Sequence, residues 1–275
     1  MTTLTPLAEI AAAEERRIAM GVGEVALEAR PFAGGTAARG APGNWTNGIY
    51  GAGMSSDVDA GELRETIEWY ERAGVEPRIE CCPFAHRSLV AGAAEEGFVV
   101  RSFEQVFFRA LFDASTVRAT APAPAELRIE PVDPQDDAMV DAYAQTALAG
   151  FLPVGADIPA DWLEVSRRVA RHPRTTAIVA RLDGEIVGAA AFEVLDTIGA
   201  LFGATVVERH RRRGIQQALL AWRLRRAAEH GARWATIGGR PGEATERNVR
   251  RMGFQVAYTK AILVRRGAGL APVAE

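Results

Sequence analysis

The chain has 275 residues, of which 48% are hydrophobic and 24% charged, and it contains two cysteines. This length is enough for one large domain or two ordinary ones, and the apolar content supplies a core without disulfides. The net charge of −3 argues against a general nucleic-acid-binding protein. Cys81 and Cys82 are adjacent, a spacing that suits neither a disulfide nor a metal site, so we expect buried, apolar thiols.

The sequence gives no sign of targeting or of membrane insertion. No stretch approaches the roughly 18 apolar residues that a membrane helix needs. Residues 1–17 lack the basic and then apolar pattern of a signal peptide. We therefore expect a cytoplasmic protein, a monomer or a homodimer, that binds neither membranes nor nucleic acid.

The first 118 residues predict alternating helices and strands. Ala and Glu dominate residues 4–20, which favours a helix. Asp59 is a plausible N-cap for a second helix, and Gly74 is placed to end it. The helices predicted in this part of the chain are 4–20, 61–72 and 83–96, and the strands are 44–50, 77–82 and 97–112.

A second domain is expected after residues 119–125, where alternating Ala and Pro predict a stiff extended linker. Asp183-Gly184 separates two apolar runs, which is a strong hairpin signal. The predicted domains are thus 1–118 and 126–267, with a flexible tail at 268–275. The first helix predicted here is capped by Asp133 or Asp136 and ends at residue 146. The other predicted helices are 159–171, 215–230 and 244–251. The predicted strands are 127–130, 175–182, 185–195, 198–207, 234–237 and 254–264.

A basic turn between a strand and an amphipathic helix organises the second half. The turn contains Arg211, Arg212, Arg213 and Gly214. The first N–H groups of a helix have no internal partner, and the helix dipole places partial positive charge there. Gly214 lets the backbone approach a phosphate, and the arginines add cationic donors. The turn therefore predicts a phosphate-binding site.

Arg211-x-x-Gly214-x-Gln216 resembles the acyl-CoA loop of the GNAT N-acetyltransferases, which contains Arg/Gln-x-x-Gly-x-Gly/Ala between a strand and a helix. Gln216 departs from that pattern. A second similarity is the helix that carries Asn248 and ends in Gly-Phe before a strand. The order of elements over 127–266 is also that of the GNAT fold. The resemblance implies an α/β (α+β) fold with a mixed, mostly antiparallel sheet flanked by helices.

The resemblance also implies a function and a set of site residues. It implies transfer of an acetyl group from acetyl-CoA to a primary amine of a small-molecule or peptide acceptor, with no metal. The family holds the pantetheine arm on a splayed strand before the loop, and backbone N–H groups there polarise the thioester carbonyl. The cofactor-binding residues that it implies are Thr205, Val206, Val207, Arg211, Arg212, Arg213, Gly214, Ile215, Gln216, Gln217 and Asn248.

The N-terminal half contains a weaker copy of the same pattern. Residues 74–98 and 231–254 both run from a helix-ending glycine through a strand, a proline-containing turn and a short helix to Gly-Phe. This indicates two tandem GNAT-like units, although two unrelated α/β units could share the order. Residues 52–57 replace the basic turn, and Asp57 and Asp59 would repel phosphate. We therefore expect the first unit to bind no cofactor.

The catalytic acid and base are not evident. Many members of the family place a glutamate before the loop, where this chain has Ala200, and a tyrosine on the last helix, where it has Val249 or Arg250. Glu193 and Tyr258 are the candidate catalytic residues, but a solvated glutamate at a strand end is an alternative for Glu193. A non-catalytic acyl-CoA-binding sensor or scaffold is therefore an alternative function.

Overall fold

The computed structural model describes residues 7–112, 115, 117–153 and 155–273. Helices and strands are interspersed along the chain, and over residues 127–266 their order is the one that the sequence predicts. The helices are α1 (Leu7–Val25), α2 (Ala60–Glu71), α3 (Arg87–Glu95), α4 (Asp137–Ala149), α5 (Ala160–Arg171), α6 (Ile215–Glu229) and α7 (Ala244–Arg251). The strands are β1 (Glu28–Phe32), β2 (Gly35–Arg39), β3 (Gly48–Tyr50), β4 (Arg78–Cys81), β5 (Val99–Ala110), β6 (Arg128–Pro131), β7 (Thr175–Leu182), β8 (Glu185–Leu195), β9 (Ile198–Val206), β10 (Trp234–Gly239) and β11 (Gln255–Val264).

The chain forms two compact units. The first contains Met1–Val106, Gly239–Pro241 and Val256–Glu275, and the second contains Phe107–Gly238 and Gly242–Gln255. The division by sequence into 1–118 and 126–267 differs from these units mainly in the last strand. β11 pairs antiparallel with β4, from Ala261 opposite Cys81 to Val264 opposite Arg78, and so belongs to the first unit.

The first unit has the strand order β1-β2-β3-β4-β11-β5. The pairs β1–β2, β2–β3 and β4–β11 are antiparallel, and β3–β4 is parallel. Its main core packs α2 and α3 against the sheet through large apolar side chains, whereas α1 packs through Ala19 onto Ala38 and Tyr50. Cys81 and Cys82 are buried free thiols, as expected.

The second unit has the order β10-β9-β8-β7-β6, antiparallel except for the parallel pair β10–β9. α4 and α5 cover one apolar cluster, which includes Tyr143, Val179 and Ala191. α6 contributes Ile215 and Leu219 to another, with Ala190 and Val206 of the sheet. Successive strand residues point to opposite faces, which explains why neighbouring positions such as Ala190 and Ala191 fall in different clusters.

Several predicted ends and caps are confirmed. The side chain of Asp59 accepts from the N–H of Glu62 at the start of α2, and that of Asp136 accepts from Met139 at the start of α4. The hairpin residues Asp183 and Gly184 have φ of 53° and 83°, so the tight turn between β7 and β8 is present as predicted.

The predictions were wrong at several places, including the end of the first helix, which is predicted at residue 20 and lies at Val25. No strand was predicted at β1, and the strand predicted at 44–50 contains only β3, because Asn44 and Asn47 accept backbone N–H groups in a turn. The helix predicted at 83–96 begins at Arg87, after His86 as its N-cap. Ala271 exchanges backbone hydrogen bonds with Gly74 and Glu76, so this part of the predicted flexible tail is held in place.

Within the described ranges, no helix combines the length and the apolar character needed to cross a membrane. The same residues contain no group of three or more His, Cys, Asp or Glu side chains placed to hold a metal ion.

Candidate active site

Strand β9 has an irregular edge in the middle of the second unit. Its register with β8 pairs Ala189 with Thr205 and Ala191 with Phe202, so the two residues Gly203 and Ala204 lie opposite the single residue Ala190. This is a β-bulge, and Gly203 has the φ of +60° that such a bulge often requires.

The other edge of β9 separates from its parallel neighbour. The pairing of β10 with β9 runs from Trp234 opposite Ile198 to Thr236 opposite Ala200 in the part of the chain that the structure describes. Beyond Ala200, β9 continues to Val206, and among the described residues no pairing on that side is seen. The bulge and the separation together leave a stretch of backbone available to a bound chain, because unpaired N–H and C=O groups seek partners.

The loop after β9 leads into an uncapped helix. A short turn, Glu208–His210, is followed by Arg212 with φ +62° and Gly214 with φ +75°. Gly214 is the N-cap residue of α6 and makes no side-chain cap hydrogen bond to the first N–H groups of the helix. Those donors, with the positive end of the helix dipole, are suited to an anion.

A cavity of about 560 Å³ lies between this loop, the end of β9 and the start of α7. It is within the size range of small-ligand sites. Most of the residues implied by the family resemblance are brought together here. Those lining it are Thr205, Val206, Arg211, Arg212, Gly214, Ile215, Gln216, Gln217 and Asn248.

Two of the residues that the family resemblance implies, Val207 and Arg213, are not in this lining. Val207 lines a second cavity instead. Arg213 is outside both linings among the described residues, and its guanidinium donates to Nδ1 of His210 at 3.1 Å. His210 itself lines the first cavity, and its Nε2 lies 3.6 Å from Glu185. Arg213 therefore orients a neighbour of the anion site in this arrangement.

The second cavity, of about 450 Å³, adjoins the first. The two share Gly150, Thr205, Val206 and Arg211. The wall of the second comes from the end of α4 and the segment after it, which contributes apolar residues such as Leu152, whereas Glu208 adds a carboxylate. Thr205 holds the common wall, because its hydroxyl donates to the carbonyl of Ala147 at 2.8 Å.

Part of the predicted linker forms a wall of the first cavity. Ala121 lines it, and the Thr120 hydroxyl donates to Oε1 of Gln217 at 2.8 Å. Gln217 also donates to the carbonyl of Asn248 at 3.3 Å, and so connects the linker to α7. A Cβ added at Gly214 would collide with the carbonyl of Pro122. The linker is therefore more than a spacer in this structure.

The two candidate catalytic residues lie elsewhere. Glu193 is buried, with one carboxylate oxygen 3.9 Å from Nε of Arg174. Tyr258 belongs to the first unit, and its hydroxyl donates to Glu15 at 2.6 Å. Burial, and next the charge of Glu15, raise the pKa of Tyr258, so the phenol keeps its proton. Neither residue lines either cavity in the described part of the chain.

Sequence reasoning missed three features of the site. The bulge at Gly203 was inside a predicted regular strand, and the only signal was the glycine itself. The wall after α4 has no periodic pattern to reveal it. Arg223 is completely buried beside β8 and β9, although its place on a helix next to other arginines favours a solvated face.

Comparison with known proteins agrees with this architecture. The model of the acetyltransferase (GNAT) family matches residues 137–254. A GCN5-related N-acetyltransferase from Kribbella flavida is similar with a TM-score of 0.68 and 18% identity, and the match covers 98% of this chain and 98% of that one. No curated protein matches the sequence significantly.

Two further solved structures are similar. For a GCN5-related N-acetyltransferase from Sphaerobacter thermophilus, the TM-score is 0.55 at 17% identity, with coverage of 79% of this chain and 71% of that one. For a tandem GNAT protein from the clavulanic acid biosynthesis pathway, it is 0.55 at 16% identity, with coverage of 74% and 68%. At these identities the likeness establishes the fold.

Proposed function

We propose that this chain, whose residues 137–254 belong to the acetyltransferase (GNAT) family, transfers an acetyl group from acetyl-CoA to a primary amine. The family and fold support acyl transfer in general, and the donor and the acceptor are our proposal. The observation that carries it is the cavity of about 560 Å³, which joins an uncapped helix start to an unpaired strand edge.

The diphosphate of the donor fits the start of α6. Arg211 and Arg212 are exposed and line the cavity, and Nε of Arg211 donates to the carbonyl of Val206 at 3.2 Å. The terminal nitrogens of both guanidinium groups are suited to phosphate oxygens. Gly214 presents backbone rather than a side chain, and the free N–H groups of the first helical turn add uncharged donors. An elongated anionic ligand would therefore be held at one end.

The pantetheine arm fits the exposed edge of β9. Ala204, Thr205 and Val206 line the cavity where that strand lacks a partner on the β10 side. The amide groups of the arm can pair with this backbone as an added strand does. The thioester then reaches the bulge, where N–H groups released from the β8 ladder can stabilise the oxyanion that forms during transfer.

The second cavity is the proposed place for the acceptor. It shares Thr205 and Val206 with the first, so an amine bound there approaches the thioester from the opposite side. Its wall is mostly apolar and carries three charged groups, Glu208, Arg209 and Arg211, of which Glu208, together with Thr146, offers oxygen atoms to an ammonium. A small amine with an apolar body fits this lining.

An acyl-CoA-binding sensor or scaffold is the second candidate. It is favoured by the positions of Glu193, which is buried near Arg174, and Tyr258, which is bonded to Glu15. Without an acid or a base at the thioester, the chain would bind acetyl-CoA and transfer nothing at an appreciable rate.

One assay separates the two. The protein is incubated with acetyl-CoA and a panel of amines, and free CoA thiol is followed with a thiol reagent, while affinity is measured by calorimetry. Amine-dependent thiol release is expected, and it should vanish in Gly214→Asp. Binding without release from any amine would favour the sensor, and absence of binding at millimolar acetyl-CoA would contradict both functions.

A further inference from the structure

Arg223 is the largest side chain of the chain that is fully buried among the described residues. It lies on α6, more than two turns after Gly214, and is 0% exposed. Burial lowers the pKa of Arg223 to about 10, which leaves the guanidinium charged at neutral pH. Burying a charged group costs free energy unless the group has hydrogen-bond partners, so the partners of the guanidinium matter.

The guanidinium donates to backbone carbonyls on two strands. Nη1 donates to Ala191 at 3.0 Å and to Phe202 at 3.2 Å. Nε donates to Leu219, one turn earlier on the same helix, at 3.2 Å, which fixes the side chain to α6. Because Ala191 and Phe202 are paired across β8 and β9, Arg223 clamps both strands at one point.

That point is the last regular pair before the bulge. Gly203 and Ala204 follow Phe202 directly, and Ala204 lines the larger cavity. On the α4 side, the hydroxyl of Tyr143 would lie 3.7 Å from a Cβ at Gly203. The guanidinium of Arg223 on α6 thus bonds the strand pair next to the bulge, and the phenol of Tyr143 on α4 lies close to Gly203.

An apolar side chain at position 223 would fill the same space and leave the two carbonyls without these donors. Unpaired buried carbonyls are costly, and a bulge relaxes readily by shifting its register. The guanidinium therefore supplies hydrogen bonds to the two strands directly beside the bulge, in addition to packing.

We propose that Arg223 is a positioning residue that fixes the bulge at Gly203 and Ala204, so that its N–H groups remain available to the carbonyl oxygen of the acyl donor. This inference rests on the proposed function, because the carbonyl is that of a bound thioester. Arg223 touches no reacting atom in this arrangement and acts only through the backbone of β9.

The test compares three variants. Arg223→Met removes the donors, and Arg223→Lys keeps a charge with different geometry. Leu224→Ala is the matched control, because Leu224 is equally buried on the same helix and belongs to the packing alone. The first measurement, which needs no ligand, is peptide-resolved amide hydrogen exchange over residues 198–206.

We expect exchange at the bulge to accelerate by about tenfold or more in Arg223→Met and by less in Arg223→Lys. Leu224→Ala should lower the melting temperature while the relative protection of the bulge is kept. If Arg223→Met fails to fold, Arg223→Lys decides the matter, since unchanged exchange there would overturn the proposal. Equal acceleration in Leu224→Ala would also overturn it.

The second measurement is the infrared carbonyl band of acetyl-CoA labelled with ¹³C at the thioester carbonyl. In the wild type, a hydrogen bond should move the band to lower frequency on binding. Arg223→Met should bind CoA with unchanged affinity but lose most of that shift, with kcat reduced by about 10²-fold and KM nearly constant. A retained shift would refute the positioning role. If the wild type binds no acetyl-CoA, the proposed function fails, and hydrogen exchange still decides whether Arg223 fixes the bulge.

Discussion

Gly214 meets two different demands at one position. Its backbone φ of +75° is accessible to glycine without strain, and the direction in which a side chain would point is occupied by the linker at Pro122. The sequence motif predicts a glycine here for close approach of the backbone to a phosphate, and the positive φ is seen only in the structure. The second demand depends on where a distant segment of the chain returns, and no local pattern reports that.

Gly214→Asp should abolish acetyl-CoA binding, with an affinity loss above about 100-fold, because the carboxylate adds negative charge and displaces the linker from the cavity. Calorimetric titration measures it. Gly231→Asp is the matched control, since this glycine ends the same helix and a Cβ there meets nothing within 4 Å. It should bind normally, at a cost of about 1 kcal/mol in stability. Normal binding by Gly214→Asp would show that the loop is not the site.

Two roles are considered for Glu193, that of a catalytic base and that of a buried group that stabilises the fold. The alternating pattern of β8 predicts that it faces away from Phe192, and it does so, but towards Arg174 rather than towards either cavity. A pattern of period two gives the face of a strand. It does not say whether that face is covered by a ligand or by protein.

Glu193→Gln should therefore lower stability rather than catalysis. We expect a loss of about 1–3 kcal/mol, because a buried carboxylate near an arginine is replaced by an amide. The acetylation rate per folded molecule should stay within about threefold of the wild type. Denaturant titration and steady-state rates between pH 6 and 9 measure both. A rate about 10²-fold lower with unchanged stability would instead establish Glu193 as the base.

At the scale of elements, predictions succeeded where a local signal decides the structure. Asp59 and Asp136 start helices because their carboxylates satisfy N–H groups within the next turn. They failed where pairing is decided by distant residues. The strand β1 has no alternating apolar pattern, since most of its residues are exposed, and it forms because it pairs with β2 along its whole length.

Three elements of the first unit, α1, β4 and β11, meet at a buried charge cluster, formed by Glu15, Arg78, Glu80, Tyr258 and Lys260. The ammonium of Lys260 lies 2.9 Å from a carboxylate oxygen of Glu15 and 3.0 Å from one of Glu80. The other carboxylate oxygen of Glu80 lies 2.8 Å from Nη2 of Arg78. Burial alone would raise the pKa of Glu80, but Lys260 and Arg78 outweigh it and hold the value at about 2. The stability gained from Glu80 is therefore present above its unfolded pKa and is lost as the pH falls towards 2.

Glu104 on β5 lies beside this cluster and titrates in the opposite sense. Burial, and next the charge of Glu80, raise the pKa of Glu104 to about 7. A carboxyl whose folded pKa is raised costs stability as the pH rises from its unfolded value through 7, and the whole cost is present above 7. Glu104→Gln should then stabilise the protein at pH 8 by about 1–2 kcal/mol and by much less at pH 5.

Denaturant titrations at the two pH values test this prediction. Glu65→Gln, on the exposed face of α2, is the control and should change stability equally little at both. If the gain in stability of Glu104→Gln were the same at both pH values, the negative charge of Glu104 would not be the cause of the lost stability.

At the scale of the whole molecule, one order of elements occurs twice along the chain. α2-β4-α3-β5 corresponds to α6-β10-α7-β11, and the glycines that precede β4, β5, β10 and β11 all have positive φ. The sequence predicts this repeat from the spacing of its helix-ending glycines, its proline-containing turns and its two Gly-Phe pairs. The sequence did not predict that β11 pairs with β4 of the first unit, because the residue pattern of an apolar strand does not specify which sheet the strand joins.

The two units differ at the start of the helix that would hold a phosphate. In the second unit, α6 begins without a side-chain cap and next to exposed arginines. In the first unit, Asp59 already accepts from the N–H of Glu62, and Asp57 lies 3.2 Å from His86. A carboxylate thus occupies one of the donors that a diphosphate would need, and negative charge would oppose the approach of a diphosphate.

We therefore predict one acetyl-CoA per chain. Calorimetric titration of the wild type should give a stoichiometry near one, and Gly214→Asp should give none. At 100 times its dissociation constant, acetyl-CoA should stabilise the folded state by about 2.7 kcal/mol, which is measurable as a shift of the melting transition. Asp57→Asn combined with Asp59→Asn removes the negative charge without adding arginines, so the ratio should remain at one. A ratio of two in the wild type, or residual binding of similar affinity in Gly214→Asp, would mean that the first unit has kept a donor site.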